Sequence, residues 1–141
     1  MKGQPRIILA FDFGLKHIGL AVGQEVSNTA NTFYSLKAVA GKPDWHKLDE
    51  IIQDWKPVLF VVGNPINMDG TDSKIKEKSD GFSKFINKRY NIPVQLMDER
   101  LTSREAKERM ELGSDYSVEK KTDIHEMSAK IILESWFREQ S

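Results

Sequence analysis

Two hydrophobic rhythms run along this chain of 141 residues, and they divide it into strands and helices. Residues 6–13, Arg-Ile-Ile-Leu-Ala-Phe-Asp-Phe, form a near-continuous apolar run ending at an acid, the pattern of a strand buried on both faces. Gly14 breaks the run, and Ile18-Gly19-Leu20-Ala21-Val22 reads as a second strand. The short link Gly14-Leu15-Lys16-His17 between them predicts an antiparallel hairpin. A third strand is expected near Asn31 to Leu36, around Phe33 and Tyr34. Pro43-Asp44 then opens a helix in which Trp45, Leu48, Ile51, Ile52 and Trp55 recur at helical spacing, and Pro57 stops it.

The second half alternates. Val58 to Val62 is a buried strand ending at Gly63, and the stretch from Asn64 to Asp72, rich in Asn, Asp, Gly and Pro, is a loop. The next helix carries Ile75, Ser79, Phe82 and Ile86 on one face, with lysines 74, 76, 78, 84 and 88 spread around it. Pro93 to Met97 is another strand, followed by Asp98-Glu99. Thr102-Ser103-Arg104-Glu105 is a capping box that starts a third helix ending near Gly113. After a polar linker, a last helix spans about Asp123 to Arg138, with Ile124, Met127, Ile131 and Ser135 on its apolar face. Antiparallel strands first and strand–helix units later predict an α/β fold, a mixed five-stranded sheet flanked by helices. With no repeat, low-complexity tract or convincing interdomain linker, residues 1–141 read as a single domain.

Composition narrows the classes. Hydrophobic residues make up 39% and charged residues 30%, a globular profile, and no apolar run approaches the roughly 20 residues that span a bilayer. The opening Met1-Lys2-Gly3-Gln4-Pro5-Arg6 lacks the features of a secretion signal. Zero cysteines exclude disulfides, thiolate zinc sites and a cysteine nucleophile. A cytoplasmic protein without a membrane partner is expected. Lys plus Arg equals Asp plus Glu at 21 each, which argues against a non-specific nucleic-acid coat. It permits an acidic centre flanked by local basic patches.

In sheets of this kind, ligands gather beyond the carboxyl ends of strands. Asp12 ends the first strand, Gly63-Asn64-Pro65 follows the middle one and Glu99 follows the last. A charge at the end of an apolar strand needs compensation from a metal or from hydrogen bonds. Two carboxylates converging from different strands form a hard oxygen site suited to Mg²⁺ or Mn²⁺. Plainer roles fit the same residues. Asp12 also suits a turn or cap, Glu99 an ion pair within Asp98-Glu99-Arg100, and Asp123 a helix cap with Glu126 three residues on. His125 also suits a solvated or packed position, and Lys16 and His17 the hairpin turn. Spacing alone yields an α/β domain with an acidic site.

Four segments go further: Leu9 to Val22, Val61 to Gly70, Asp98 to Ser103, and Ser128 to Ser135. In this order, across nearly the whole chain, they resemble the YqgF family of pre-16S rRNA nucleases and Holliday junction resolvase-like proteins. The resemblance implies a ribonuclease H-like fold and a site for Mg²⁺ or Mn²⁺ built from carboxylates, with Asp12 and Glu99 as catalytic and metal-binding acids. The family's third acid falls on His125, a departure that leaves His125, Asp123 or Glu126 to complete the site; His125 is the favoured one. Family members commonly carry Arg where His17 stands. Lys16, Arg100 and Arg104 are the expected phosphate contacts, and Asn64 with its loop the wall of the substrate groove. The implied reaction is metal-dependent phosphodiester hydrolysis leaving a 5′-phosphate and a 3′-hydroxyl, on structured RNA such as pre-16S rRNA. Alternatives are a resolvase acting on branched DNA, usually as a symmetric dimer, and a non-catalytic ribosome-associated RNA-binding module. The chain is expected as a monomer or homodimer. The Asp-x-Gly-x-Lys turn also occurs in sugar kinases and small ATPases, which generally need two such domains around the nucleotide.

Overall fold

The first apolar run becomes the middle of a sheet. The computed structural model describes residues 6–64, 73–98 and 124–140. Strands β1 (Ile7–Asp12), β2 (His17–Gln24), β3 (Thr29–Val39) and β4 (Lys42–Pro43) are followed by helix α1 (Trp45–Trp55) and strand β5 (Leu59–Asn64). Then come α2 (Ser73–Tyr90), β6 (Val94–Asp98) and α3 (Ile124–Gln140). The six strands lie in the order β4-β3-β2-β1-β5-β6. β1 pairs antiparallel with β2 and parallel with β5, which in turn runs parallel to β6. The fold is therefore the mixed α/β sheet read from the sequence, with six strands instead of five. The additional strand is the two-residue β4 on Ala38 and Val39, too short to leave a hydrophobic period.

Successive residues of β1 serve opposite faces, as pleating requires. Leu9, Phe11 and Phe13 join Leu48, Ile51 and Ile52 of α1 and Phe82 and Ile86 of α2 in one core. Ile8 and Ala10 join Ala129, Ile132, Leu133, Trp136 and Phe137 of α3 in the other. The sheet is thus a middle layer between α1 with α2 and α3. Phe11 sits edge-on to Phe60 and to Phe82, with centroids 5.4 and 5.5 Å apart.

The helix ends follow local chemistry. The Asp44 side chain accepts hydrogen bonds from the His46 and Lys47 amides, so Asp44 is the N-cap of α1 and Pro43 belongs to β4, not to the helix. Lys56, left-handed at φ 50°, ends α1 just before Pro57. β3 extends beyond the expected span at both ends and carries a bulge opposite Leu20 and Ala21. On α3 the buried residues are Ser128, Ala129, Ile131, Ile132, Leu133, Trp136 and Phe137. Ile124, Met127 and Ser135, expected on the apolar face, are only partly buried, because a broader arc of the helix lies on the sheet. A tie between α1 and α2 is made where Arg89 donates to both Asp49 oxygens, at 2.9 and 2.7 Å, and the Tyr90 hydroxyl donates to Oδ1 at 2.6 Å. The loop at 65–72 and the capping-box helix from Thr102 to Gly113 lie outside the described residues. No described helix is long and apolar enough to cross a membrane.

Candidate active site

Asp12 is the last member of the β1 row that faces α3, after Ile8 and Ala10. It pairs in register with Gly19 on β2 and Gly63 on β5. β1, β5 and β6 are parallel, so Asp12, Asn64 and Asp98 end at one edge of the sheet, and Asn64 is in register with Asp98. With about 4.8 Å between neighbouring strands, β1 and β6 end roughly 10 Å apart. Asp12 is only 8% exposed, a charge held at the rim of the core.

The first turn of α3 comes to this edge because β2 is flat there. A Cβ built on Gly19 would stand 2.0 Å from the His125 carbonyl oxygen and 2.9 Å from the Glu126 nitrogen. A Cβ on Gly23 would stand 2.9 Å from Leu133 Cδ2 and 3.1 Å from Phe137 Cε2. With Ala21 between them, these glycines form a flat track for α3, whose backbone comes down at Gly19 and whose Leu133 and Phe137 side chains come down at Gly23. The close approach puts His125 Nδ1 4.0 Å from Asp12 Oδ2. The His125 ring stacks on His17, with centroids 5.1 Å apart and 18° between the planes. The N-terminal end of a long helix, where amide dipoles favour negative charge, also lies beside the Asp12 carboxylate.

Of the residues singled out in the sequence, the structure brings Asp12 and His125 together. Lys16 is exposed in the β1–β2 turn, and its carbonyl accepts from the Ala38 amide at 2.8 Å. Asn64 ends β5 at the same sheet edge. Glu99, which follows β6 directly, and Arg100, Arg104 and Asp123 lie outside the described residues. Among the described residues no group of three or more His, Cys, Asp or Glu gathers as a metal cage. Sequence reading passed over two contributors, His17 as the stacking partner of His125 and Gly19 as the seat of α3. The alternation Gly19, Ala21, Gly23 on one strand face was the available signal for the second. A groove of about 470 Å³ between α2 and β6 is lined by residues such as Lys76, Asp80 and Leu96 and includes neither Asp12 nor His125.

This architecture is the ribonuclease H-like fold of the RuvC type. A Thermus thermophilus RuvC solved with a Holliday junction substrate superposes with a TM-score of 0.60 at 14% identity, covering 96% of this chain and 95% of that one. The yeast mitochondrial Holliday junction resolvase Ydc2 gives 0.54 at 11% identity, over 94% and 78%. Within that class the family model described as "RuvX: Holliday junction resolvase" matches residues 6–139, and the chain belongs to this family. A relative from Actinobacillus pleuropneumoniae serotype 7, named "Putative pre-16S rRNA nuclease", is 44% identical over 96% of this chain and 98% of its own length. One of the same name from Nitrosococcus oceani is 42% identical over 97% and 90%. The resemblance read from the four motifs is borne out, and it places the chain in a family of nucleases, hydrolases of phosphodiester bonds.

Proposed function

We propose that this chain, as one domain over residues 1–141, is a metal-dependent nuclease that trims pre-16S rRNA at its 5′ end in the cytoplasm. The observation that carries the reading is the buried Asp12 carboxylate with the His125 imidazole 4.0 Å away at the carboxyl edge of the sheet. A carboxylate and an imidazole are a donor pair that fits a divalent ion, Mn²⁺ as well as Mg²⁺. Asp12, His125 and Glu99 would hold it. When bound, such an ion lowers the pKa of a water and offsets charge on the phosphoryl oxygens.

The chain's own residues do the rest. Asp12, fixed by strand pairing on both sides, holds its carboxylate at a set place on the sheet edge. His17 limits rotation of the His125 ring by stacking on it. Lys16, Arg100 and Arg104 hold flanking phosphates, and Asn64, at the end of β5, contacts the substrate. Phosphate contacts of this kind orient the substrate without reading its sequence.

Cutting of branched DNA is the second reading, favoured by the likeness to RuvC; it calls for a symmetric dimer that makes paired cuts. The test is cleavage of a labelled 16S precursor fragment and a four-way DNA junction in Mg²⁺ or Mn²⁺ by wild type, Asp12→Asn and His125→Ala. Metal-dependent cutting of the RNA is expected, reduced at least about a hundredfold in Asp12→Asn with the fold retained, and weakened in His125→Ala. Cutting of the junction alone makes the protein a resolvase. Binding of RNA with no cutting of either makes it a ribosome-associated module.

A further inference from the structure

Asp12 and the next residue point to opposite faces of the sheet. Phe13 turns toward α2 and lines a groove of about 370 Å³ together with Gly41, Lys42, Trp45, Gly81 and Phe85. The turn between β3 and β4 forms one wall and is tied to the hairpin after Asp12, since the Gly41 amide donates to the Leu15 carbonyl at 3.0 Å. The groove therefore opens at the same end of the sheet as the candidate site.

Its lining is unusual for a surface that only has to stay soluble. The Trp45 and Phe85 rings stack with centroids 4.7 Å apart and 29° between planes, and the Arg89 guanidinium lies 5.1 Å from the Trp45 centroid. Phe85 is nonetheless 48% exposed. One turn earlier, Gly81 sits inside α2, where a glycine weakens the helix. A Cβ there would meet nothing within 4 Å, so no packing demands the glycine, and its effect is to keep the space beside Phe85 open. Among the described residues the charged members of the lining are Lys42 and Lys78, both cations. A flat aromatic platform edged by cations suits a base and its phosphates, because every base has a stacking face and every nucleotide a negative charge.

We propose that this groove binds an unpaired nucleotide of the substrate, its base stacked on Phe85 and its flanking phosphates held by Lys42 and Lys78. The proposal rests on the nuclease reading and names its substrate as nucleic acid with a single-stranded segment passing the sheet edge. The test is fluorescence anisotropy of a labelled short oligoribonucleotide and of the matching duplex, with metal chelated so that binding is read without cleavage. Phe85→Ala and Gly81→Leu, the second of which adds bulk to the groove at a position where a Cβ meets nothing within 4 Å, are each expected to weaken single-strand binding about tenfold and leave duplex binding unchanged. Lys42→Ala and Lys78→Ala should each lower the slope of log affinity against log salt by about 0.7. Single-strand affinity unchanged in both groove variants, or single-strand and duplex binding falling together, overturns the proposal. So does a change of oligomeric state in Phe85→Ala with no change in RNA affinity, which would make a second copy the occupant. Failure of the nuclease reading looks different: the groove variants still discriminate in binding, but wild type cuts nothing once metal is restored.

Discussion

The two faces of the sheet are built by opposite rules. Toward α1 and α2 the strands present large side chains, with Phe11, Phe60 and Phe82 meeting edge to face under Leu48, Ile52 and Ile86. Toward α3, Ile8, Val61 and Met97 pack with the helix's side chains, but β2 presents Gly19, Ala21 and Gly23, and the backbone of the helix's first turn comes down onto Gly19. Bulk keeps the first pair of helices at side-chain distance and secures stability through burial. Small residues let the third helix approach closely enough to bring His125 to Asp12. The comparison teaches that the core and the site are divided between faces, so they should fail separately.

The largest expected effect is on the bulky face. Phe60 is fully buried between Phe11 and Tyr90, and Phe60→Ala should cost about 3–5 kcal/mol in urea unfolding. Cleavage by the molecules that remain folded at low temperature should be unchanged. A loss of activity as large as that of Asp12→Asn in folded protein would erase the division of labour. A smaller effect on stability is expected on the flat face. In Gly19→Ala the new methyl meets the His125 carbonyl oxygen and carbon at 2.0 and 2.3 Å, backbone atoms that yield only if the first turn of α3 shifts. About 1–3 kcal/mol of stability should go with that shift. Cleavage should fall about a hundredfold, the cost of moving a reacting group by an ångström. Full activity in Gly19→Ala would mean that the seating of α3 does not set the site.

How much of this could be read from the chain follows from burial. β1 and β5 were legible because both of their faces are covered, which leaves continuous apolar runs. Asp12 was legible as the charge that ends such a run. β3 was only half legible, since most of its residues are partly or fully exposed and its polar ends carry no period, and β4 was not legible at all. The apolar arc of α3 was only partly legible because Ser128 and Ala129, small and unremarkable in a hydropathy pattern, belong to its buried face along with the expected Ile131. His125 gained a site role only through the family resemblance; its place beside Asp12 depends on a packing distance that no spacing rule encodes. His17, read as a turn residue, gained its role from the same approach.

The smallest expected effect concerns how the bulky face is held at its outer edge. Asp49 on α1 receives hydrogen bonds from Arg89 and then from Tyr90, and these hold its carboxyl down at about 2. Burial, followed by the bond to Asp49, pushes the Tyr90 hydroxyl well above its ordinary value of 10. Because the carboxyl's folded value lies below its unfolded one near 3.8, the tie contributes fully above that pH and is lost as pH falls toward 2. The Asp49 side chain is 43% exposed, so solvent screening limits the contribution to about 1 kcal/mol or less. Unfolding of wild type and Asp49→Asn should therefore differ by up to that amount near about pH 5, and the difference should shrink steadily as the buffer is taken toward pH 2. The same Arg89 lies over Trp45, so Asp49→Asn should also loosen the aromatic platform and weaken single-strand binding slightly at neutral pH. A stability difference that is constant across the acid range would show that the tie acts through packing of Arg89 and Tyr90 and not through the charge on Asp49.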